Sequence, residues 1–147
     1  MQYPIVNEIK ITYSRTGNYE KTVLSSQDAT EVFREHFDTG QIDYRESFYA
    51  LYLNQAATVL GIQKIAESGL TSSLVDIRMI LQGALLCNAV SLIIAHNHPS
   101  GNLKPSREDI NITEKIKQTG NLLNIRLLDH CILTSSDYLS FSDEGML

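Results

Sequence analysis

The stretch VSLIIAHNHPSGNLKPSREDI (residues 90–110) places a strand, a rigid loop and the start of a helix in direct succession. Its opening residues form a short apolar run, which predicts a strand buried on both faces. Pro99 and Pro105 bound the loop that follows, and Ser106-x-x-Asp109 is typical of a capped helix start. A buried strand that leads into a helix through a short loop indicates an α/β domain.

Further helices and strands are predicted on both sides of this stretch. The predicted helices follow Ser25 or Ser26 up to about Gly40, and cover residues 73–89 and 106–123. The predicted strands cover residues 46–54, 57–66, 90–95, 125–134 and 138–141, and the first two are expected to pair antiparallel. This alternation of strands and helices predicts an α/β layered domain.

The N-terminal segment shows a different pattern. In IVNEIKITYS (residues 5–14), apolar and polar residues alternate around Ile5, Ile9 and Ile11. Together with the following TGNY and EKTVL, this alternation predicts a β-hairpin. We therefore expect residues 1–24 to form a strand or hairpin extension and residues 25–147 to form the main domain.

Length, composition and charge restrict the class of protein. A chain of 147 residues with 43% hydrophobic and 20% charged residues fits one globular domain. No apolar run approaches a membrane span, the N-terminus lacks a signal-peptide pattern, and the two cysteines form no CxxC pair. We therefore expect a soluble protein of the reducing cytoplasm. A formal net charge of −5 disfavours binding to DNA, because such binding depends on Lys and Arg contacts to phosphates.

The motif His96-x-His98 is the main candidate for a functional site. In an extended chain, residues two apart point to the same face, so both imidazoles can reach one metal ion. Asp109, in the first turn of the next helix, can supply a third ligand and leave one position of a tetrahedral Zn²⁺ open for water. Two other interpretations remain open: a pair of ordinary loop histidines, and a capping box formed by Ser106 and Asp109 without any metal.

Other zinc motifs do not fit the sequence. A zinc deaminase requires H-x-E with a downstream P-C-x-x-C, and a helical metalloprotease requires H-E-x-x-H. Neither pattern occurs. The letters HNH match the name of a nuclease motif, but that motif describes residues dispersed over a small fold and not three adjacent ones.

Together, His96-x-His98-Pro99, Ser106-x-x-Asp109 and an acidic residue upstream resemble the JAMM (MPN+) metalloprotease motif. The stretches AHNHPSGNLKPSREDI, LLNIRLLDHCIL and YLSFSDEGML are similar to the RadC-like branch of that superfamily, from about Ser25 to Leu147. RadC proteins also carry a helix-hairpin-helix segment, which nothing in the first residues resembles. We therefore expect a stand-alone domain.

The resemblance implies a fold and a role for each site residue. The expected fold is a mixed, curved β-sheet flanked by helices on both sides, similar to cytidine deaminase. By motif position, His96, His98 and Asp109 bind one Zn²⁺ per chain, and Ser106 stabilises the reaction intermediate. Glu46, at the start of ESFYALYLN, matches the family's general base. Without the family, Glu46 is an ordinary solvated acid, with Glu31, Glu35 and Glu67 as comparable rivals.

Three functions follow as hypotheses. The first is a zinc-dependent JAMM-type hydrolase that acts on a peptide or isopeptide bond of a peptide or protein substrate. The second is a DNA-associated protein, because the RadC name is attached to DNA repair and mobile elements. The third is a metal-binding scaffold without catalytic activity.

A few polar residues outside the motif are further candidates. Asp129 and His130 follow an apolar strand run and are candidates for a hydrogen bond to a zinc ligand, with a purely structural role as the alternative. Cys87 and Cys131 lie in apolar surroundings and are expected in the core.

Overall fold

A computed structural model of the protein describes residues 3, 5–68 and 75–147. Three helices are present in these ranges: α1 (Ser26–His36), α2 (Ile77–Leu86) and α3 (Arg107–Leu122). The strands are β1 (Glu46–Leu53), β2 (Val59–Ser68), β3 (Ser91–Asn97), β4 (Arg126–Leu133) and β5 (Tyr138–Ser140). The strands lie within about two residues of their predicted positions, and the predicted helices and strands of residues 25–147 are present where the structure describes the chain. Residues 73 and 74, the predicted start of α2, lie outside the described residues.

The five strands form one mixed sheet in the order β2-β1-β3-β4-β5. Strand β1 pairs antiparallel with both β2 and β3, β3 pairs parallel with β4, and β4 pairs antiparallel with β5. Helix α3 connects the two parallel strands, as a parallel pair requires a crossover connection. Every residue of the central strand β3 is buried, which confirms the prediction from its uninterrupted apolar run.

Each face of the sheet is covered by helices. On one face, α1 packs Val32 and Phe33 against sheet residues such as Leu51 and Ile93. On the other face, α2 and α3 pack against the intervening side chains of the same strands, in a second cluster that includes Ile80, Ala84, Leu92, Ile94 and Ile116. The two clusters confirm the predicted α/β fold, a mixed sheet with helices on both sides.

Two helices end earlier than the sequence predicts. Helix α1 starts as expected after Ser25, whose side chain accepts a hydrogen bond from Asp28 N, but the chain is already extended at Phe37. The Phe37 ring at this turn is buried in the core beneath α1. Helix α2 ends at Leu86, and Asn88 adopts a φ of 55°, a left-handed conformation that terminates a helix.

The predicted N-terminal hairpin is wrong for the described residues. Residues 5–20 contain no strand, and the nearest sheet-like pairing is an isolated bridge between Thr22 and Thr58. Ile5, Ile9 and Ile11 are 90%, 86% and 71% exposed. Their alternation matches a strand, but these side chains stay largely exposed, and burial is what stabilises such a strand. Among the described helices, none is long and apolar enough to span a membrane.

Candidate metal centre

The pairing of β1 with β3 brings Glu46 and the two histidines to one face of the sheet. Phe48 lies directly opposite His96, so both side chains point to the same face. Their rings stack at a centroid distance of 5.8 Å and an interplanar angle of 12°. Because side chains alternate along a strand, Glu46 shares the face of Phe48, and His98 shares the face of His96. The centre therefore forms where β1 begins and β3 ends.

The first turn of α3 adds the carboxylate of Asp109. Ser106 and Asp109 form a capping box: the Asp109 backbone N–H donates to Ser106 Oγ at 3.0 Å, and the Ser106 backbone N–H donates to Asp109 Oδ2 at 2.8 Å. Asp109 Oδ1 lies 3.2 Å from His96 Nε2, and Oδ2 lies 3.3 Å from His98 Nε2. The capping box thus holds Asp109 against both histidines, so the capping and metal-site interpretations describe the same geometry.

The spacing of these atoms fits a single metal ion. His96 Nε2 and His98 Nε2 are 2.9 Å apart. Ligand atoms on a tetrahedral zinc ion, bound at about 2.0–2.1 Å, are separated by about 3.3 Å. Each of these nitrogens also has one oxygen of the Asp109 carboxylate near that spacing, Oδ1 at 3.2 Å from His96 Nε2 and Oδ2 at 3.3 Å from His98 Nε2. Glu46, His96 and His98 also offer ligand atoms within 4.8 Å of one another. Nitrogen and oxygen donors of this kind suit zinc.

The other ring nitrogen of His98 has a partner of its own. His98 Nδ1 lies 2.6 Å from the backbone carbonyl oxygen of Asn102. A carbonyl oxygen only accepts, so Nδ1 carries the hydrogen and, in the neutral ring, Nε2 keeps its lone pair. A backbone carbonyl on the remaining ring N–H is typical of metal-bound histidines. His98 is therefore oriented as a ligand.

Asp109 and His98 influence each other's ionisation. Burial by itself would raise the pKa of Asp109, but the close contacts with the imidazoles of His96 and His98 outweigh burial and hold that pKa well below its usual range. The close contact with the Asp109 carboxylate raises the pKa of His98, against the opposing effect of partial burial. The carboxylate is therefore ionised and ready to bind a cation at neutral pH.

Behind the histidine pair lies His130, which is completely buried. Its Nε2 is 2.8 Å from His96 Nδ1, and its Nδ1 is 2.6 Å from Thr113 Oγ1. Burial lowers the pKa of His130 well below its usual value, so the ring is neutral. His130 therefore contacts Nδ1 of His96, the ring nitrogen that does not face Asp109 and His98. This is the kind of hydrogen bond to a candidate ligand that the sequence suggested for Asp129 or His130.

The other candidate, Asp129, is engaged elsewhere. Its carboxylate accepts hydrogen bonds from Ser140 Oγ at 2.5 Å, from the Ser142 backbone N–H at 2.9 Å and from the His130 backbone N–H at 2.8 Å. Burial raises the pKa of Asp129 despite these bonds. The described contacts of Asp129 connect β4 with β5 and with the residues that follow β5. They support a purely structural role for Asp129 and not a hydrogen bond to the ring of a candidate ligand.

Asn97, between the two histidines, supports Glu46 from the opposite face of β3. The side chain is fully buried. Its Nδ2 donates to the carbonyl oxygens of Ile42 at 2.7 Å and Arg45 at 2.8 Å, and its Oδ1 accepts from the Ser47 backbone N–H at 2.7 Å. These bonds fasten the chain on both sides of Glu46. Sequence reasoning missed this role, although an amide between two ligands in a buried strand was a signal for it.

Thr113 is the second residue that the sequence did not reveal. It lies four residues after Asp109 on α3, one helical turn away, and its side chain is buried. The helical spacing from Asp109 could have indicated that Thr113 faces the same site. Its partner His130 lies on β4, and nothing local in the sequence links the two.

Glu46 is the one of the four candidate glutamates whose described contact is with a candidate ligand. Its Oε1 is 3.7 Å from His96 Nε2, and its side chain is 41% exposed. Three other glutamates pair away from the histidines: Glu31 with Lys21, Glu35 with Tyr19, and Glu67 with Lys64 and Arg45. A cavity of about 420 Å³ opens beside the site and is lined in part by Glu46, Phe48, His96, Asp109, Ile112 and Lys115. Glu46 can therefore reach a molecule bound beside the histidines.

The predicted site residues are largely brought together. His96, His98 and Asp109 converge, Glu46 adjoins them, and Ser106 contacts Asp109 as the helix cap. Among the hydrogen bonds of the described residues, the Ser106 hydroxyl accepts from Asp109 N and donates to none, so its own hydrogen can be donated. Such a group of imidazoles and carboxylates at the edge of a cavity can hold a divalent cation and place a base beside it.

Comparison with known proteins agrees with this geometry. A family model described as the RadC-like JAB domain matches residues 23–146. A "UPF0758 protein" of Flavobacterium johnsoniae is 38% identical over 126 residues, which are 86% of this chain and 54% of that protein. The protein of the same name from Chlorobaculum parvum is 33% identical over 147 residues, all of this chain and 65% of its relative. That of Methanosarcina acetivorans is 42% identical over 103 residues, 70% of this chain and 45% of the relative.

These relatives are longer than the chain, which spans between 45% and 65% of their lengths. The family match, in contrast, covers nearly the whole chain and includes every residue of the candidate metal centre. It confirms the resemblance that the histidine motif indicated. The chain belongs to the RadC-like JAB domain family.

Proposed function

We propose that this protein is a zinc-dependent hydrolase of the JAMM type that cleaves a peptide or isopeptide bond in a peptide or protein substrate. His96, His98 and Asp109 would hold one zinc ion, because the two Nε2 atoms lie 2.9 Å apart and each has one Asp109 oxygen within 3.3 Å. A zinc ion in such a site supplies Lewis acidity and lowers the pKa of a bound water to about 7. The buried thiols of Cys87 and Cys131 agree with a reducing, cytoplasmic location.

The protein's own groups supply the proton transfers. The Glu46 carboxylate takes the proton from the attacking water and later gives it to the nitrogen of the leaving amine. As the carbonyl oxygen of the substrate gains negative charge, the Ser106 hydroxyl donates a hydrogen bond to it. The products are a carboxylic acid and an amine, so one water is consumed for each bond that is cleaved.

The position of Glu46 is the observation that carries the proposal. A purely structural metal site is closed, with all ligand positions taken by protein. Here a fourth polar group, 3.7 Å from His96 and 41% exposed, faces the cavity beside the three donors. Among the described hydrogen bonds and ion pairs, no other group occupies this carboxylate. Its geometry fits a general base better than a structural acid.

Metal analysis combined with a peptide-library assay tests the proposal. The wild-type protein should bind about one zinc per chain, and His96→Ala and Asp109→Ala should lose it. Glu46→Gln should retain the zinc but lower turnover by about 10²–10⁴-fold, because the amide cannot accept the proton. Glu35→Gln is the matched control, because this carboxylate accepts a hydrogen bond from Tyr19 and belongs to helix α1 on the opposite side of the sheet. It should change neither property.

Two outcomes would overturn the proposal. Full activity of a zinc-free preparation would exclude metal-dependent hydrolysis. Stoichiometric zinc without cleavage across a broad peptide and isopeptide library would instead favour a metal-binding scaffold.

A further inference from the structure

A continuous chain of hydrogen bonds connects the first turns of α3 with the back of His96. Thr113 Oγ1 lies 2.6 Å from the backbone carbonyl oxygen of Asp109 and 2.6 Å from His130 Nδ1. His130 Nε2 lies 2.8 Å from His96 Nδ1. The three side chains of Thr113, His130 and His96 are 4%, 0% and 1% exposed, so water does not replace these bonds. This chain of hydrogen bonds therefore links the backbone of Asp109 to the ring of His96 through two buried residues, Thr113 and His130.

The carbonyl at one end sets the direction of every bond. A carbonyl oxygen only accepts, so the Thr113 hydroxyl donates its single hydrogen to Asp109 O and can only accept from His130. His130 Nδ1 must then carry the ring hydrogen and donate it to Thr113. In the neutral ring this leaves His130 Nε2 as an acceptor, and His96 Nδ1 donates to it. His96 Nε2 is left with a lone pair directed at Asp109 and His98.

We propose that Thr113 is a positioning residue that sets the ring tautomer of His96 through His130. It thereby prepares His96 Nε2 as a metal ligand before any metal binds. The inference rests on the proposed metal centre and goes beyond it, because the proposed function requires His96 as a ligand but does not say what orients it. In the reversed chain, Thr113 would donate to His130 and His130 to His96, and a hydrogen on His96 Nε2 would block the ligand position.

The two candidate histidine ligands illustrate why such a chain is needed. His98 lies in the loop, where the carbonyl of Asn102 reaches its Nδ1 directly at 2.6 Å. His96 lies inside the sheet, where the backbone carbonyls of β3 pair with neighbouring strands. Its Nδ1 instead meets another imidazole, which by itself can donate or accept. Thr113 removes this ambiguity, because its hydroxyl is already committed to Asp109.

An ordinary structural role for Thr113 is the competing explanation. Threonine in a helix often donates to the carbonyl four residues earlier, without any function beyond the helix. That role accounts for the bond to Asp109 but not for the 2.6 Å contact with His130 Nδ1. The two explanations differ in what they predict for the tautomer of His96 and for metal affinity.

The direct test is long-range ¹H–¹⁵N NMR of the imidazole rings in protein freed of metal by a chelator. We expect His96 and His130 each as a single tautomer, with hydrogen on Nδ1. In Thr113→Val, which keeps the shape but removes the hydroxyl, we expect mixed tautomers at both rings. Thr113→Ser, which restores the hydroxyl, should recover the wild-type spectrum. A wild-type His96 with its hydrogen on Nε2 would overturn the inference.

Zinc affinity, measured by competition with a chromophoric chelator, provides the second readout. Loss of a partner that orients a ligand typically weakens metal binding by about 10–100-fold, and we expect this of Thr113→Val. Thr113→Ser should bind within a few-fold of wild type. Equal affinity of Thr113→Val and wild type, or equal weakness of Val and Ser, would contradict the inference.

These measurements separate the failure of this inference from failure of the proposed function. If wild-type protein binds no zinc, the proposed function fails, while the tautomer of His96 in metal-free protein still tests the hydrogen-bond chain. If zinc binds but Thr113 has no effect on tautomer or affinity, only the inference fails. The wild-type spectrum needs no variant, so the test stands even where Thr113→Val does not fold.

Discussion

At the scale of single residues, Asn97 performs a task that its neighbours cannot. His96 and His98 point to the α3 side of the sheet, and the residue between them necessarily points the other way. There Asn97 makes three hydrogen bonds to the backbone on either side of Glu46. The same short segment therefore places two candidate ligands and fastens the chain that carries the candidate base.

Replacement of Asn97 by alanine should destabilise the protein. Two carbonyl oxygens and one N–H would be left buried without a partner, and each such group costs about 1–3 kcal/mol. Because water can reach some of them after local adjustment, we expect the free energy of unfolding to fall by about 2–4 kcal/mol. Urea denaturation followed by circular dichroism measures this loss.

Asn121→Ala serves as the control for this substitution. Asn121 is an exposed asparagine near the end of α3. Its substitution should change the free energy of unfolding by about 0.5 kcal/mol or less, as expected for a surface site. If Asn97→Ala were as mild as the control, the amide would not be fastening the segment around Glu46.

At the scale of elements, the turn from α3 into β4 depends on close backbone contact. The Ile125 backbone N–H donates to the Gly120 carbonyl at 2.8 Å, which brings the chain back against the end of the helix. A side chain on Gly120 would collide with the Ile125 carbonyl oxygen, which belongs to the backbone and cannot move as a side chain does. Since β4 carries His130, this turn also sets the position of the residue behind His96.

Gly120→Ala should therefore lower stability, although alanine is ordinarily the better residue in a helix. Forcing an extra carbon into such a contact typically costs about 1–3 kcal/mol, and we expect a loss in this range by thermal or chemical denaturation. Gly61→Ala is the matched control, because a Cβ there meets no atom within 4 Å. Equal stability of the two variants would show that the turn adjusts without strain.

At the scale of the whole molecule, the candidate metal centre connects three separate elements. Glu46 begins β1, His96 lies in β3, and Asp109 lies in the first turn of α3. A metal bound by groups from β3 and α3 has no comparable site in the unfolded chain, so its binding energy adds to folding stability. The effect grows with the concentration of free metal.

Zinc should consequently raise the melting temperature of the metal-free protein. At a free zinc concentration of about 1,000 times Kd, the stabilisation is about 4 kcal/mol. A domain of this size gains about 2–4 °C per kcal/mol, so we expect an increase of about 8–16 °C by differential scanning calorimetry.

The His96→Ala variant is the control for this shift, since it lacks one proposed ligand. Its melting temperature should not respond to zinc, and chelator should reverse the rise in the wild type. A similar rise in wild type and variant would indicate zinc binding at another place.

Sequence reasoning succeeded where the signals are local. A cap at Ser25 or Ser26 predicted the start of α1, where Ser25 is the N-cap, and Ser106 with Asp109 predicted the start of α3 and its capping box. It failed for the N-terminal hairpin, because the alternation of Ile5, Ile9 and Ile11 says nothing about whether a surface exists to cover them. It also extended α1 towards Gly40, whereas the chain leaves the helix earlier, at the buried residue Phe37.

The sequence by itself determined the order of helices and strands from α1 to β5 and the three candidate ligands His96, His98 and Asp109. The helices and strands follow from periodicity and capping, and the three candidate ligands follow from short spacings within one segment. Only the tertiary structure decided that Glu46, fifty positions before His96, lies beside them and that Thr113 and His130 stand behind. The physical reason is strand pairing: the register of β1 and β4 against β3 is set by packing of the whole sheet between its two helix layers, which no short segment encodes.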